Sequence, residues 1–102
     1  ADLPPLQDFF FNAYLNAYRI TLPETLQKLY RCCNGASSTS WRLYGLHEWS
    51  HFSWGKKNFW AVGEIEDNNS IIWILLDYNG KFYTCDDDCV LNDAPIKIPL
   101  PE

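Results

Sequence analysis

Residues 47–51 read His-Glu-Trp-Ser-His and match the pattern H-E-x-x-H. On a helix, two histidines four positions apart face the same side and share a zinc ion, while the glutamate activates a water molecule. The longer form of the pattern requires Gly and His at positions 54 and 57, where this chain has Trp54 and Lys57. Glu64 or Glu66 could supply a third ligand, but both lie beside a predicted turn. A zinc-dependent hydrolase that uses this motif is therefore an alternative hypothesis.

Aromatic residues are dense around this motif. The cluster contains Trp41, Tyr44, Trp49, Phe52, Trp54, Phe59 and Trp60. Such side chains favour interfaces because they combine a large apolar area with few rotatable bonds. In a small domain the same residues also build the core. We predict that most of them are core residues, and that Trp49 and Trp54 are exposed to a partner.

Acidic residues concentrate in the second half of the chain. The net charge is −5; residues 1–57 hold four acids and six bases, whereas residues 58–102 hold nine acids and two bases. The first part thus carries +2 and the second −7. This charge disfavours nucleic acid and anionic membranes as direct partners and suits a basic protein. An acidic surface that serves only solubility is the alternative.

Residues 85–89 read Cys-Asp-Asp-Asp-Cys and predict an acidic loop. The loop lacks the central glycine and the later glutamate of a calcium-binding loop. We expect Asp86, Asp87 and Asp88 to form either a solvated turn or an acidic patch that faces a partner. The cysteines Cys32, Cys33, Cys85 and Cys89 lack the paired spacing of a zinc ribbon, and their disulfide state stays open.

Hydrophobic periodicity predicts helices followed by strands. Helices are predicted over residues 3–18 and 22–33, a helical turn over 47–52, and strands over 41–44, 58–65, 70–76, 82–85 and 96–98. The apolar run over 71–76 predicts a central strand that is buried on both faces. Helices before a meander of strands indicate an α+β fold, with N-terminal helices on a mostly antiparallel sheet in a single domain.

Local signals refine these elements. Leu3, Leu6, Phe10, Ala13, Tyr14, Ala17 and Tyr18 form the predicted apolar stripe of the first helix. The spacing of Thr21 and Glu24 predicts a capping box, and the pair at 34–35, Asn-Gly, predicts a left-handed end to the second helix. Asn79-Gly80 predicts a hairpin, because both residues tolerate a positive φ.

The order of these blocks resembles the SUKH superfamily, which includes bacterial immunity proteins, yeast cell-wall-assembly regulators and several viral families. Residues 22–30 begin Leu-Pro-Glu and are followed by Asn-Gly at 34–35, which is similar to one block of that superfamily. Residues 59–63, Phe-Trp-Ala-Val-Gly, resemble its aromatic strand. Residues 74–83 resemble its Asp-x-x-Gly hairpin, and acidic residues follow at 86–88.

The resemblance implies one domain over residues 1–102 that acts by binding and has no catalytic residues. Bacterial members neutralise toxin domains, often nucleic-acid-directed enzymes that tend to be basic. We therefore predict an immunity protein with the contact residues Glu64, Glu66, Asp67, Asp86, Asp87, Asp88, Trp49 and Trp54. A viral or eukaryotic regulatory module of the same fold is the other alternative.

Further expectations concern cofactors and surroundings. We expect no cofactor, no bound metal, and no nucleic-acid or membrane partner. The longest apolar run is too short to cross a membrane, and no signal peptide is recognised. A cytoplasmic monomer or weak homodimer is predicted.

Overall fold

A computed structural model describes residues 4–86 and 91–93. Within these ranges two helices, α1 (Asp8–Tyr18) and α2 (Glu24–Cys32), precede seven strands, and a 3₁₀ turn (Leu46–Glu48) follows the second strand. The strands are β1 (Ala36–Ser37), β2 (Trp41–Leu43), β3 (Ser50–Trp54), β4 (Lys57–Asp67), β5 (Ser70–Asp77), β6 (Phe82–Cys85) and β7 (Leu91–Asp93). The α+β class with N-terminal helices is confirmed. Neither helix is long and apolar enough to cross a membrane.

All strand pairs are antiparallel, and β4 is shared by three neighbours. The strand order is β1-β2-β4-β5-β6-β7, and β3 pairs with β4 as well. The 11 residues of β4 hold β3 along the first part and β2 along the second, with Ser50 opposite Ala61 and Leu43 opposite Gly63. A register shift between Ala61 and Gly63 marks a bulge at Val62. Because bulges bend a strand, the change of partner coincides with a change of direction.

The two faces of the sheet are packed differently. On one face the buried residues of both helices meet the sheet, and this core includes Phe11, Leu26, Leu29, Tyr30, Leu43, Val62, Ile74 and Leu76. The opposite face carries a smaller cluster of Phe59, Ala61, Leu75, Tyr83 and Cys85. We call this second surface the helix-free face, because the buried residues of α1 and α2 all belong to the other cluster.

The first helix contacts the core through part of the predicted stripe and through residues outside it. Phe11 is its buried residue, and Leu15 packs against the same cluster together with the stripe residues Tyr14 and Tyr18. These positions follow helical spacing, one turn after another. Phe10 and Ala13, which belong to the predicted stripe, are exposed. Apolar residues surround this segment, so its sequence pattern was compatible with more than one orientation.

The second helix is placed close to its prediction, but its ends differ. Glu24 is the first residue of α2, and no side chain caps that end, so the predicted capping box with Thr21 is not formed. At the other end Gly35 has a positive φ of 99°, whereas Asn34 does not. The glycine alone therefore supplies the left-handed backbone that follows the helix.

The two hairpins of the long strands use different turns. Asn68 and Asn69 have φ values of 49° and 65°, which is the conformation of a two-residue type I′ turn. The predicted hairpin at Asn79-Gly80 is confirmed, but only Gly80 has a positive φ, of 88°. One carboxylate oxygen of Asp77 accepts hydrogen bonds from two backbone N–H groups of this turn, at 2.9 and 2.8 Å. The aspartate therefore fixes a three-residue turn.

The central strand β5 is buried on both faces only in its second half. Ile74, Leu75 and Leu76 are buried, whereas Ile71 and Trp73 are 37% and 38% exposed. The prediction of a strand covered throughout is wrong for the first half. The strand predicted over residues 96–98 lies outside the described part of the chain.

Gly80 brings the hairpin turn against the start of α2, since a Cβ there would lie 2.7 Å from the carbonyl oxygen of Thr21. We expect Gly80→Ala to lower the free energy of unfolding by about 1–2 kcal/mol through its left-handed backbone, and further through this contact. Gly55→Ala is the matched control, because Gly55 has φ 59° and open space around a Cβ. Chemical denaturation measures both variants, and equal losses would contradict the role of the contact.

Candidate functional site

The H-E-x-x-H residues do not share a helix. His47 lies in the 3₁₀ turn and His51 lies in β3, so the predicted helical turn is wrong beyond Glu48. The ring of His51 packs edge-on against Trp60, with centroids 5.5 Å apart. Residues 4–86 and 91–93 contain no group of three or more His, Cys, Asp or Glu side chains that could hold a metal ion. The helical geometry on which the zinc-hydrolase hypothesis depends is therefore not formed.

His47 instead helps to attach the 3₁₀ turn to the end of α2. Asn34 is 4% exposed, and its Oδ1 accepts the backbone N–H of Leu46 at 2.8 Å. The Nδ2 of Asn34 donates to Nδ1 of His47 at 3.0 Å. Because a side-chain amide nitrogen only donates, Nδ1 of this histidine is the acceptor. Asn34 thus contributes through its side chain rather than through a left-handed backbone.

The predicted exposure of Trp49 is wrong, whereas that of Trp54 is confirmed. Trp49 is 6% exposed, its Nε1 donates to Oη of Tyr30 at 3.2 Å, and its ring stacks on Tyr18 at 5.2 Å. Trp54 is 39% exposed. Trp49 is a core residue because α2 and α1 both pack against it.

Strand register places a row of charged and large apolar side chains across the helix-free face. Arg42 on β2 lies opposite Glu64 on β4, which lies opposite Trp73 on β5. Two residues further along β4, towards the turn at Asn68-Asn69, Glu66 lies opposite Ile71. Directly opposite residues of antiparallel strands project from the same face. We call the group Glu64, Glu66, Ile71 and Trp73 the acidic-aromatic patch.

A chain of polar contacts borders this patch. Nη2 of Arg42 donates to Oε2 of Glu48 at 2.6 Å, and its guanidinium lies 5.0 Å from the ring centroid of Tyr44. Oη of Tyr44 donates to Oε1 of Glu64 at 2.9 Å. Burial, and then the hydrogen bond to Glu64, raise the pKa of Tyr44 well above its usual value, so this hydroxyl stays a donor. Among the described residues Glu64 has no ion-pair partner, although Arg42 lies directly opposite.

Beside the patch the helix-free face forms a cavity of about 450 Å³. Ala61 and Leu75 lie at its floor, and the rings of Tyr44, Phe52 and Trp73 surround it. The small Ala61 and the small Ser50 opposite it leave this space between the larger side chains of Tyr44, Phe52 and Trp73. The volume falls within the range of about 300–1,000 Å³ typical of ligand pockets.

The structure places only some of the predicted contact residues next to one another. Glu64 and Glu66 share the acidic-aromatic patch. Trp54 pairs with Lys57 at the opposite end of β4, about 20–30 Å from Glu64 and Glu66 at strand spacing. Glu64, Glu66 and Trp54 therefore do not form one site.

The other acidic residues predicted to contact a partner are described only in part or not at all. Asp67 ends β4 opposite Ser70, and its side chain lies outside the described part. Asp86 is half-buried directly after β6. Asp87 and Asp88 lie outside the described residues, as does Cys89.

The contact residues predicted from the sequence did not include Trp73, Ile71, Arg42 or Tyr44. Trp73 lay in an apolar run that predicted burial on both faces. A hairpin about Asn68-Asn69 places Trp73 opposite Glu64, and an acidic neighbour in the next strand is the signal that this face meets solvent.

Comparison of the chain with protein-family models, with curated protein sequences and with solved structures found no match in any of the three. The SUKH resemblance therefore stays a prediction from the residues that carry it. The geometry of the helix-free face is the main support for a functional proposal.

The hydroxyl of Tyr30 gives the fold a pH-dependent stability. Tyr30 is 1% exposed, and burial raises its pKa well above the usual value of 10.0. In the unfolded chain this hydroxyl ionises near pH 10, whereas in the folded chain it keeps its proton. The free energy of unfolding therefore falls above pH 10, by about 1.4 kcal/mol per pH unit for this residue, until pH reaches the folded pKa.

We expect Tyr30→Phe to lower stability at neutral pH by about 1–3 kcal/mol, because Trp49 and the carbonyl of Tyr44 lose a buried partner. The same variant should show a shallower decline above pH 10. Denaturant titrations between pH 7 and pH 12 measure both effects. Tyr78→Phe, which changes an exposed hydroxyl, is the control, and an unchanged alkaline slope in Tyr30→Phe would refute the assignment.

We also expect no stoichiometric zinc in the purified protein, because the two histidines lie on different elements. Elemental analysis after purification measures the metal content, and thermal melting with and without a chelator measures any stabilisation by zinc. One zinc ion per chain that is lost in His51→Ala would contradict this expectation.

Proposed function

We propose that this chain is a non-enzymatic protein-binding domain that docks a basic partner on its helix-free face. The observation that carries the proposal is the acidic-aromatic patch. There Trp73 and Ile71 are 38% and 37% exposed, side by side with Glu64 and Glu66. Large apolar side chains that remain exposed next to charged ones are typical of interaction surfaces.

The two kinds of residue contribute differently to binding. Aromatic side chains near the centre of an interface carry most of the binding energy, since they bury a large area at low entropic cost. Acidic side chains accelerate the encounter with a basic protein and select against acidic ones. The net charge of −7 over residues 58–102 extends this attraction beyond the patch.

The finer form of the proposal is an immunity protein that neutralises a toxin domain by occlusion. It is supported by the SUKH resemblance, which implies binding to toxins that tend to be basic. The patch supplies a surface of the matching charge. No catalytic group of this chain takes part in such a mechanism.

Co-expression with the products of neighbouring genes, followed by affinity purification, tests the proposal. We expect a tight, basic protein partner. Trp73→Ala should weaken the complex at least about tenfold, the equivalent of about 1.4 kcal/mol. Trp54→Ala is the matched control, because it removes an exposed tryptophan far from the patch.

The charged half of the patch is tested by the double variant Glu64→Gln/Glu66→Gln. Glutamine keeps an acceptor oxygen for Tyr44, so the fold is preserved while two charges are removed. We expect slower association and a weaker dependence of its rate on salt. Glu24→Gln, on the exposed side of α2, is the control.

Three outcomes decide between the alternatives. If affinity purification finds no tight protein partner from the native host, the proposal is refuted. A complex that none of the patch variants weakens contradicts the assigned surface. A partner that is a host regulatory protein rather than a toxin would support binding but exclude the immunity function.

A further inference from the structure

We infer that the cavity beside the acidic-aromatic patch receives an aromatic side chain of the partner, flanked in the partner by lysine or arginine. This inference rests on the proposed function, in which the partner is a basic protein. The inference specifies the chemical character of the partner's binding segment and the place where the central side chain of that segment inserts.

The shape and lining of the cavity fit an aromatic ring. Its floor is apolar, with Leu75 fully buried and Ala61 8% exposed. The rings of Tyr44, Phe52 and Trp73 line its sides. Aromatic rings pack favourably against one another in edge-on and offset arrangements. An inserted ring would therefore contact aromatic walls and a floor without polar groups.

Four polar residues line the cavity, and the two charged ones, Arg42 and Glu48, are paired with each other; the others are Ser50 and His51. Arg42 is paired with Glu48 and lies over the ring of Tyr44, whose hydroxyl is bonded to Glu64. In the part of the chain that the structure describes, no buried side-chain nitrogen or oxygen lacks a hydrogen-bond partner. Apart from the exposed Ser50 and His51, the cavity is lined by the paired Arg42 and Glu48 and by apolar side chains, so an apolar ring fits it better than a polar ligand.

The charges next to the cavity select the residues that flank the ring. Glu64 lies directly opposite Trp73, and Trp73 forms one wall of the cavity. Neither Glu64 nor Glu66 has an ion-pair partner among the residues described. A segment that places a ring in the cavity carries its neighbouring residues over these carboxylates, where lysine or arginine would be paired.

Three capped five-residue peptides test the inference without the natural partner. The first has phenylalanine between two arginines, the second has alanine in place of phenylalanine, and the third has glutamines in place of the arginines. Titration into isotopically labelled protein, followed by NMR, measures affinity and location together. We expect the first peptide to bind at least tenfold more tightly than the others and to shift the resonances of Ala61 and Leu75.

Two variants block the cavity from different sides. Ala61→Leu fills the floor, and Ser50→Phe covers the cavity from the exposed strand position opposite Ala61. We expect each to weaken binding of the first peptide at least tenfold. Ala13→Leu, an equal enlargement on the exposed side of α1, is the control. If Ala61→Leu does not fold, Ser50→Phe still provides the test.

The results separate this inference from the proposed function. Wild-type affinity of the first peptide for both blocked variants, or equal affinity for all three peptides, overturns the inference. Suppose that the natural complex is weakened by Trp73→Ala and by Glu64→Gln/Glu66→Gln, but not by the blocked variants. This result would support the proposed function and would refute the inference that an aromatic ring of the partner occupies the cavity. A natural complex that none of these variants weakens refutes both.

Discussion

The buried hydroxyl of Tyr30 connects the helical layer to the part of the sheet that carries the candidate site. It donates to the carbonyl oxygen of Tyr44 and accepts the indole N–H of Trp49. These two residues flank the 3₁₀ turn between β2 and β3, so one side chain of α2 holds both ends of that connection. Loss of the hydroxyl would leave two buried polar groups unpaired, which costs more than an ordinary hydrogen bond contributes.

Tyr44 transmits this constraint to the helix-free face. Its backbone is held by Tyr30, while its side chain bonds Glu64 and lies against Arg42. The same stretch of sheet contains the bulge at Val62, where β4 changes partner from β3 to β2. Side chains from four strands therefore meet at one point, and the short side chain of Ala61 leaves the cavity between them. Stability of the core and geometry of the site are thus linked.

Much of the fold could be predicted because its signals are local, whereas exposure depends on distant partners. The position of α2, the hairpin at Asn79-Gly80 and the α+β order all follow from neighbouring residues. The burial of Trp49 and the orientation of α1 do not, since both are decided by packing between remote segments. Trp73 illustrates the difference, because an apolar run looks the same whether one or both faces of its strand are covered.

The sequence by itself determined the order of helices before strands, the acidic character of residues 58–102 and the turn-forming positions, because these depend on residue type and short spacing. Only the tertiary structure decided which side chains share a surface. It separated His47 from His51 on two elements, buried Trp49, and placed Glu64 beside Trp73. The physical reason is that strand pairing joins residues far apart in the chain, and a shift of register by one residue would move every side chain to the other face.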